Sequence, residues 1–169
     1  MTEPPATNVI TIDGHAIEYR LQRRGGAAVL ILHGGHMSAC CRFGEEVFLE
    51  TGYTVLVTSR PGYGRTGVGA GPSAPEFAVR LADLCRRLEL KEVTVVGISI
   101  GARTALTMAA FYPDLVPNVI LMCQQASACG RIVAAAASRM RSSRRASSER
   151  PGACCTRCSE RIQTNTCRA

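Results

Sequence analysis

The sequence predicts an α/β fold, in which a mostly parallel sheet is flanked by helices. Runs of β-branched and apolar residues alternate with helix-like patterns along residues 8–123, and strands that alternate with helices at this spacing form βαβ units. The run 28–32 is apolar throughout, which is typical of a central strand covered on both faces. A G-x-S-x-G pentapeptide, residues 97–101, separates a strand-like run from a helix-like run. We therefore expect six strands before residue 123 and a functional turn at the pentapeptide.

The first three predicted strands follow one another without an intervening helix. Residues 9–12 and 16–21 have strand-like patterns on either side of Asp13-Gly14. Asp-Gly between such runs is a strong hairpin signal, because glycine accepts the positive φ that the turn requires. The third strand, 28–32, leads into His33-Gly34-Gly35-His36.

The later elements alternate between helix and strand. In chain order they are a helix at 45–50, a strand at 54–58, a glycine-rich loop at 60–66, a helix at 74–88, a strand at 92–96, a helix at 102–111 and a strand at 119–123. Ser73 and Glu76 occupy the N-cap and third positions of the helix at 74–88, which predicts a capping box. Pro113 ends the following helix.

Charge and cysteine divide the 169 residues into two parts. Residues 1–123 carry 11 basic and 11 acidic side chains, whereas residues 124–169 carry nine arginines and only two acids, so the net charge of +7 comes from the second part. Five of the nine cysteines also lie there. The N-terminus lacks the pattern of a secretory signal, and no apolar run approaches the length of a membrane span. We therefore expect a cytoplasmic protein with reduced thiols, in which residues 1–123 form a folded core and residues 124–169 a disordered basic tail.

Three motifs in series resemble those of the α/β-hydrolase family, and the resemblance covers roughly residues 8–123. His33-Gly34-Gly35 resembles the family's oxyanion loop after the third strand. Residues 60–66 resemble its D-x-P-G-x-G-x-S loop, with Ser59 where an aspartate is common. The pentapeptide and its helix, through Tyr112-Pro113, resemble the family's nucleophile elbow, a tight strand-to-helix turn that carries the catalytic serine.

The resemblance implies a site and a reaction. Ser99 is the expected nucleophile, and the backbone N–H groups of Gly35 and Ile100 are the expected oxyanion donors. Gly34, Gly97 and Gly101 are the glycines that the loop and the elbow need. The implied activity is hydrolysis of an ester-like bond (ester, thioester or amide) in a small-molecule substrate, without a metal or organic cofactor.

The catalytic acid and base that such a serine needs cannot be assigned. In the family they follow the serine in the order acid, then histidine, yet the sequence has no histidine after His36 and only Glu149 and Glu160 as late acids. His33 is expected to shape its loop rather than act as the base, and His36 is an equally weak candidate. Our hypothesis is that the chain departs from the family by a truncation or a shifted reading frame near residues 124–130, which would impair turnover.

Other functions fit the sequence less well. The C-x-x-C at Cys155–Cys158 would need two more ligands to hold zinc, so we expect no metal site. The arginine-rich run 139–150 lacks interleaved aromatics and any known module, so no nucleic-acid partner is expected. The main alternative is a catalytically silent hydrolase-like remnant or a non-enzymatic binding protein.

Overall fold

The computed structural model describes residues 4–122, which form a six-stranded sheet with helices packed against it. In chain order the elements are β1 (Asn8–Ile12), β2 (His15–Gln22), β3 (Ala28–Leu32), α1 (Glu46–Glu50), β4 (Thr54–Thr58), a 3₁₀ turn (Val68–Ala70), α2 (Ala74–Arg87), β5 (Val93–Ile98), α3 (Gly101–Phe111) and β6 (Asn118–Met122). The six predicted strands and the mostly parallel sheet are confirmed. The predicted tail at residues 124–169, with its C-x-x-C and its arginine run, lies outside the described residues.

The strand order β1-β2-β4-β3-β5-β6 places β3 at the centre of the sheet. β1 pairs with β2 and β2 with β4 in antiparallel fashion, whereas β4, β3, β5 and β6 run parallel. Leu32, the last residue of β3, is in register with Thr58 of β4 and with Gly97 of β5. The loops that follow these three strands therefore leave the sheet at the same edge, where the ligands of open α/β sheets bind.

The central strand β3 is buried along its whole length, as its apolar composition predicts. Because side chains alternate across a strand, Leu30 and Leu32 enter one hydrophobic cluster and Val29 and Ile31 another. The first cluster includes the apolar face of α2, and the second is flanked by Phe48 of α1. Both faces of the sheet are thus covered, and this rigid support fixes where the loops at its carboxyl edge begin.

Two local predictions are confirmed by the backbone. Asp13 and Gly14 have φ values of +49° and +77° between β1 and β2, which is the pattern of a type I′ hairpin turn. The Ser73–Glu76 capping box is present, since the Glu76 N–H donates to Ser73 Oγ (3.4 Å) and the Ser73 N–H donates to Glu76 Oε2 (3.0 Å).

The structure differs from the sequence prediction at the pentapeptide. β5 extends through Gly97 to Ile98, so only Ser99 and Ile100 lie between the strand and α3. The strand gains these residues because the parallel ladder to β6 continues to the pairing of Ile98 with Met122. The connection is therefore tighter than the five-residue motif suggests.

Candidate active site

Ser99 occupies a strained position at the tip of the turn between β5 and α3. Its φ of +51° lies in the left-handed region, which costs a non-glycine residue about 1–3 kcal/mol. Two hydrogen bonds hold this conformation: the Ser99 N–H donates to the carbonyl of Met122 (2.9 Å), and the Ser99 carbonyl accepts from the N–H of Ala102 (3.0 Å). The side chain is exposed at the carboxyl edge of the sheet, which is where the nucleophile of a hydrolase elbow stands.

The two outer glycines of the pentapeptide are required by close packing. A Cβ on Gly97 would lie 2.7 Å from Ala102 Cα and 2.8 Å from Ala105 Cβ, and a Cβ on Gly101 would collide with the carbonyl of Leu32. Real Cβ atoms do not approach backbone this closely, so a side chain at either position would push α3 away from the sheet. These glycines let the helix start directly against β3 and β5, and that arrangement bends the chain sharply at Ser99.

The loop after β3 lies beside this turn. A Cβ on Gly34 would lie 3.5 Å from Ser99 Cβ and 3.6 Å from the carbonyl oxygen of Ile98, so the Gly34 backbone is in near contact with the serine. Gly35 follows at the exposed surface. Among residues 4–122, neither the Gly35 N–H nor the Ile100 N–H donates to a backbone carbonyl. Ile100 is also the N-cap of α3, where the helix dipole favours negative charge.

His33 is buried, and both of its ring nitrogens are engaged. Nε2 accepts a hydrogen bond from the Arg60 N–H (3.0 Å), which places the ring proton on Nδ1, and Nδ1 donates to the carbonyl of Gly34 (2.6 Å). Burial lowers the pKa of His33 below its ordinary value, with a further contribution from the Arg60 charge. The ring also stacks on Phe43 and meets the edge of Tyr63. This neutral imidazole joins the loop after β3 to the loop after β4 and has no free nitrogen for a proton transfer.

Glu18 of β2 anchors the loop after β4, a role that the sequence analysis missed. Its Oε2 accepts from Ser59 Oγ (2.6 Å) and from the Arg65 N–H (3.1 Å), while Oε1 accepts from Thr7 Oγ1 (2.8 Å) and Arg65 Nε (3.1 Å). Ser59 Oγ in turn accepts from the Ala39 N–H (2.8 Å). Burial raises the pKa of the Glu18 carboxyl, but the hydrogen bonds from Ser59, Thr7 and Arg65 outweigh it and hold the pKa below its ordinary value.

A buried carboxylate on β2 thus lies against Ser59, at the position where the resembling motif usually carries an aspartate. The sequence signal for this role is weak, because Glu18 is one of several polar residues that alternate with apolar ones in β2. Its partners are 41 and 47 residues away along the chain, so no local pattern could identify them.

A buried ion pair holds the segment that follows the loop after β3. Arg20 Nη1 lies 2.6 Å from Glu45 Oε1, and the two side chains are 4% and 1% exposed. The same guanidinium donates to the carbonyls of Ala39 and Cys41. Removing one partner of such a pair would leave an uncompensated buried charge, so residues 39–45 are tied firmly to β2.

The general base that Ser99 would need is not found in the described residues. All three histidines of the sequence, His15, His33 and His36, lie within residues 4–122, and none of them hydrogen-bonds Ser99. His36 is exposed with a φ of +58°, and the ring of His15 lies 3.0 Å from where a Cβ on Gly69 would stand. The late acids Glu149 and Glu160 lie outside the described part of the chain.

The described part of the chain has two cavities but no cluster of metal-binding side chains. Within residues 4–122, no three His, Cys, Asp or Glu side chains lie close enough to hold a metal ion. No helix in this part is long and apolar enough to span a membrane. A cavity of about 460 Å³ adjoins the elbow at Ile100, and a second, of about 560 Å³, lies at the far end of α3 beside Tyr112.

Several known proteins with similar sequences are named as hydrolases. The uncharacterized hydrolase YcgS of Bacillus subtilis (strain 168) is 37% identical over 115 residues, which cover 66% of this chain and 39% of YcgS. The 2-(acetamidomethylene)succinate hydrolase of Mesorhizobium japonicum is 30% identical over 111 residues, which cover 64% of this chain and 40% of that protein. The chain therefore spans about two fifths of the length of these relatives.

A solved structure shares the fold. The esterase from Exiguobacterium antarcticum superposes with a TM-score of 0.59 at 26% identity, over 67% of this chain and 43% of the esterase. The sequence model of the alpha/beta hydrolase fold matches residues 27–159, which is most of the chain. The sheet, the turn at Ser99 and these similarities agree, and the chain belongs to the α/β-hydrolase family.

Proposed function

We propose that this chain carries the acyl-transfer half of a serine hydrolase, with Ser99 as the nucleophile. The single observation that carries the proposal is the left-handed conformation of Ser99 on a two-residue turn at the carboxyl edge of the sheet, with Gly34 in near contact. A strained serine is retained at such a position where the strain aims its hydroxyl at a substrate. The similarity to an esterase and to 2-(acetamidomethylene)succinate hydrolase supports a small-molecule substrate with an ester-like bond.

The proposed reaction starts with attack of Ser99 Oγ on the carbonyl carbon of the substrate. The serine proton passes to a base, and the carbonyl oxygen becomes an oxyanion that accepts hydrogen bonds from the N–H groups of Gly35 and Ile100. Collapse of this intermediate expels the alcohol, thiol or amine, which takes up the proton, and leaves an acyl group on Ser99. Water then hydrolyses the acyl group by the same steps in reverse order. Each oxyanion donor lowers the barrier of such a reaction by about 2.7–4 kcal/mol.

Turnover by the 169-residue chain is proposed to be impaired. Every histidine of the sequence lies within the described residues, and His33, the first residue of the proposed oxyanion loop, has both nitrogens engaged. A serine hydrolase without its acid and base keeps only about 10³–10⁴-fold acceleration over water, from oxyanion stabilisation and binding. The alternative is therefore a silent hydrolase-like remnant or a binding protein, in which the elbow persists without an activated serine.

A fluorophosphonate probe separates these two functions, because it reacts only with an activated serine. If Ser99 is the nucleophile, the probe should label the chain slowly at Ser99, because the described residues supply no base, and Ser99→Ala should abolish the labelling. Ser38→Ala removes a hydroxyl from the segment after the oxyanion loop and serves as the matched control, which should label like the unmodified chain. Absence of labelling in folded protein would support the silent remnant and contradict the proposed nucleophile.

A further inference from the structure

Two arginines line the cavity that adjoins the elbow. This cavity of about 460 Å³ has Ile100, the residue after Ser99, in its wall, and Arg60 and Arg103 also line it. Apolar side chains such as Val68, Pro72 and Phe77 form much of the remainder. A small cavity that combines apolar walls with a few charged groups is the usual composition of a subsite for a small molecule.

Arg60 is held at the cavity by two contacts. Its N–H donates to His33 Nε2 (3.0 Å), and its guanidinium carbon lies 5.5 Å from the centre of the Tyr63 ring. The stacking orients the planar guanidinium without neutralising its charge. Arg60 is half-buried, so its charge is less screened by water than that of a fully exposed side chain.

Arg103 lies in the first turn of α3, on the face that carries Ile100. Its N–H donates to the carbonyl of Ile100 (3.3 Å), three residues earlier, and residues three apart share a helix face. A cation at a helix N-terminus opposes the helix dipole and is unfavourable for the isolated helix. The residue type at this position is therefore not explained by helix stability.

Neither charge is neutralised by the protein in the described part of the chain. The ion pairs recorded among residues 4–122 involve other arginines, and no carboxylate lies within 4.0 Å of the guanidinium of Arg60 or Arg103. One acid belongs to the same region: Glu76 Oε2 accepts from the N–H and hydroxyl of Ser73, which lines the cavity. That carboxylate serves the cap of α2, so the cavity retains two cations beside a helix N-terminus.

We propose that this cavity is a subsite for a carboxylate group of the substrate, located one residue beyond the nucleophile. The inference rests on the proposed function of Ser99 for the position of the reacting bond, but the subsite itself consists of Arg60, Arg103 and the apolar wall. The substrate would carry its carboxylate a few atoms from the ester-like bond, with the intervening chain against Val68 and Phe77. A guanidinium matches the planar geometry of a carboxylate and can bind it through two hydrogen bonds.

The test compares two ligands that differ by one charge, monomethyl glutarate and dimethyl glutarate, on the full 169-residue chain with Ser99→Ala. This background prevents acylation, so only binding is measured, by ligand-observed NMR titration. We expect the monoester, which has one free carboxylate, to bind roughly tenfold more tightly than the uncharged diester. The ratio of the two dissociation constants should fall toward one as salt rises from 20 to 500 mM, because salt screens the attraction between the carboxylate and the arginines.

Three arginine variants test whether the preference for the monoester arises in this cavity. Arg60→Gln with Arg103→Gln should abolish the difference between the two ligands, and Arg103→Glu, which also leaves the two positions without net positive charge, should do the same. Arg87→Gln removes the same charge from the exposed face of α2, outside the cavity, and should keep the preference. Thermal unfolding of each variant confirms that it is folded, and because Arg103 is exposed, Arg103→Glu supplies the decisive comparison if the double variant is unstable.

The outcomes distinguish this inference from the proposed function. Equal binding of the two ligands, or a preference that survives in Arg103→Glu, overturns the carboxylate subsite whether or not Ser99 reacts with fluorophosphonate. A preference that disappears with the two arginines supports the subsite even in a chain that the probe does not label, and such a chain would be a carboxylate-binding remnant of a hydrolase.

Discussion

Glu18→Gln replaces the one carboxylate that, among residues 4–122, holds the loop after β4. In the native chain its two oxygens accept four hydrogen bonds, from Ser59 Oγ, Thr7 Oγ1 and the N–H and Nε groups of Arg65. Glutamine is nearly isosteric but keeps one accepting oxygen, so at most two of the four bonds survive and an NH₂ group faces the other two donors.

The expected loss follows from how buried each partner is. A hydrogen bond to a charged group contributes about 1.5–3 kcal/mol when buried. The Arg65 side chain is 56% exposed, so its ion pair with Glu18 is discounted to about 0–1 kcal/mol for screening by solvent. Glu18→Gln should therefore lower the free energy of unfolding by about 2–4 kcal/mol.

The same variant should change the dependence of stability on pH. The folded-state pKa of Glu18 lies below its ordinary value of 4.5, so the carboxylate stabilises the fold above about pH 4.5, and this stabilisation is lost as the pH falls through the lower folded-state value. Urea unfolding between pH 3 and pH 7 should show a flatter acid limb in Glu18→Gln than in the native chain. Glu45 also has a lowered pKa, so part of the loss of stability at acid pH should remain in Glu18→Gln.

The control is Glu46→Gln, which removes a carboxylate whose side chain is 47% exposed. This variant should cost no more than about 0.5 kcal/mol. If Glu18→Gln is as mild as Glu46→Gln and keeps the full acid limb, then the hydrogen bonds do not hold the loop, and the account of Ser59 and the loop after β4 is wrong.

Three further predictions concern the elbow and the histidine beside it. Gly97→Ala should lower the free energy of unfolding by about 3 kcal/mol or more, measured in urea, because its Cβ would meet the backbone of Ala102, whereas Gly26→Ala, whose Cβ would stand in open space, should be near neutral. Ser99→Gly should be more stable than Ser99→Ala by about 1 kcal/mol, because glycine accepts the left-handed φ; equal unfolding midpoints would contradict strain at this residue. Burial lowers the pKa of His33 in the folded state. The neutral ring therefore stabilises the fold fully above pH 6.5, and this stabilisation is lost as the pH falls through the lower folded-state pKa. His33→Gln should remove this pH dependence of the free energy of unfolding between pH 5 and pH 7.

Much of the fold could be predicted because its signals are local. The Asp13-Gly14 turn, the Ser73–Glu76 cap and the five apolar residues of β3 each depend on neighbours within a few positions, and the structure confirms all three. The family resemblance likewise depends on short motifs at fixed spacing, and the family assignment is confirmed over residues 27–159. The assignment of Ser99, Gly35 and Ile100 to the chemistry stays a prediction.

The interactions that join distant segments could not be predicted from the sequence. It gave no indication that Glu18 would contact Ser59 and Arg65, or that Arg20 and Glu45 would form a buried pair. Each of these pairs joins β2 to a loop more than 20 residues away. Glu18 and Arg20 alternate with the apolar residues of β2, so a pattern search assigns them to a solvent-exposed face of the strand.

The amino-acid sequence by itself determined the kind of elements, their order and the sharp turn at Ser99, because propensity, capping and glycine requirements act over a few residues. Only the tertiary structure decided that the loops after β3, β4 and β5 meet at one edge, that His33 is neutral and engaged on both nitrogens, and that Arg60 and Arg103 line one cavity. The physical reason is that strand order and register set these distances, and both follow from packing the sheet between its helices as a whole.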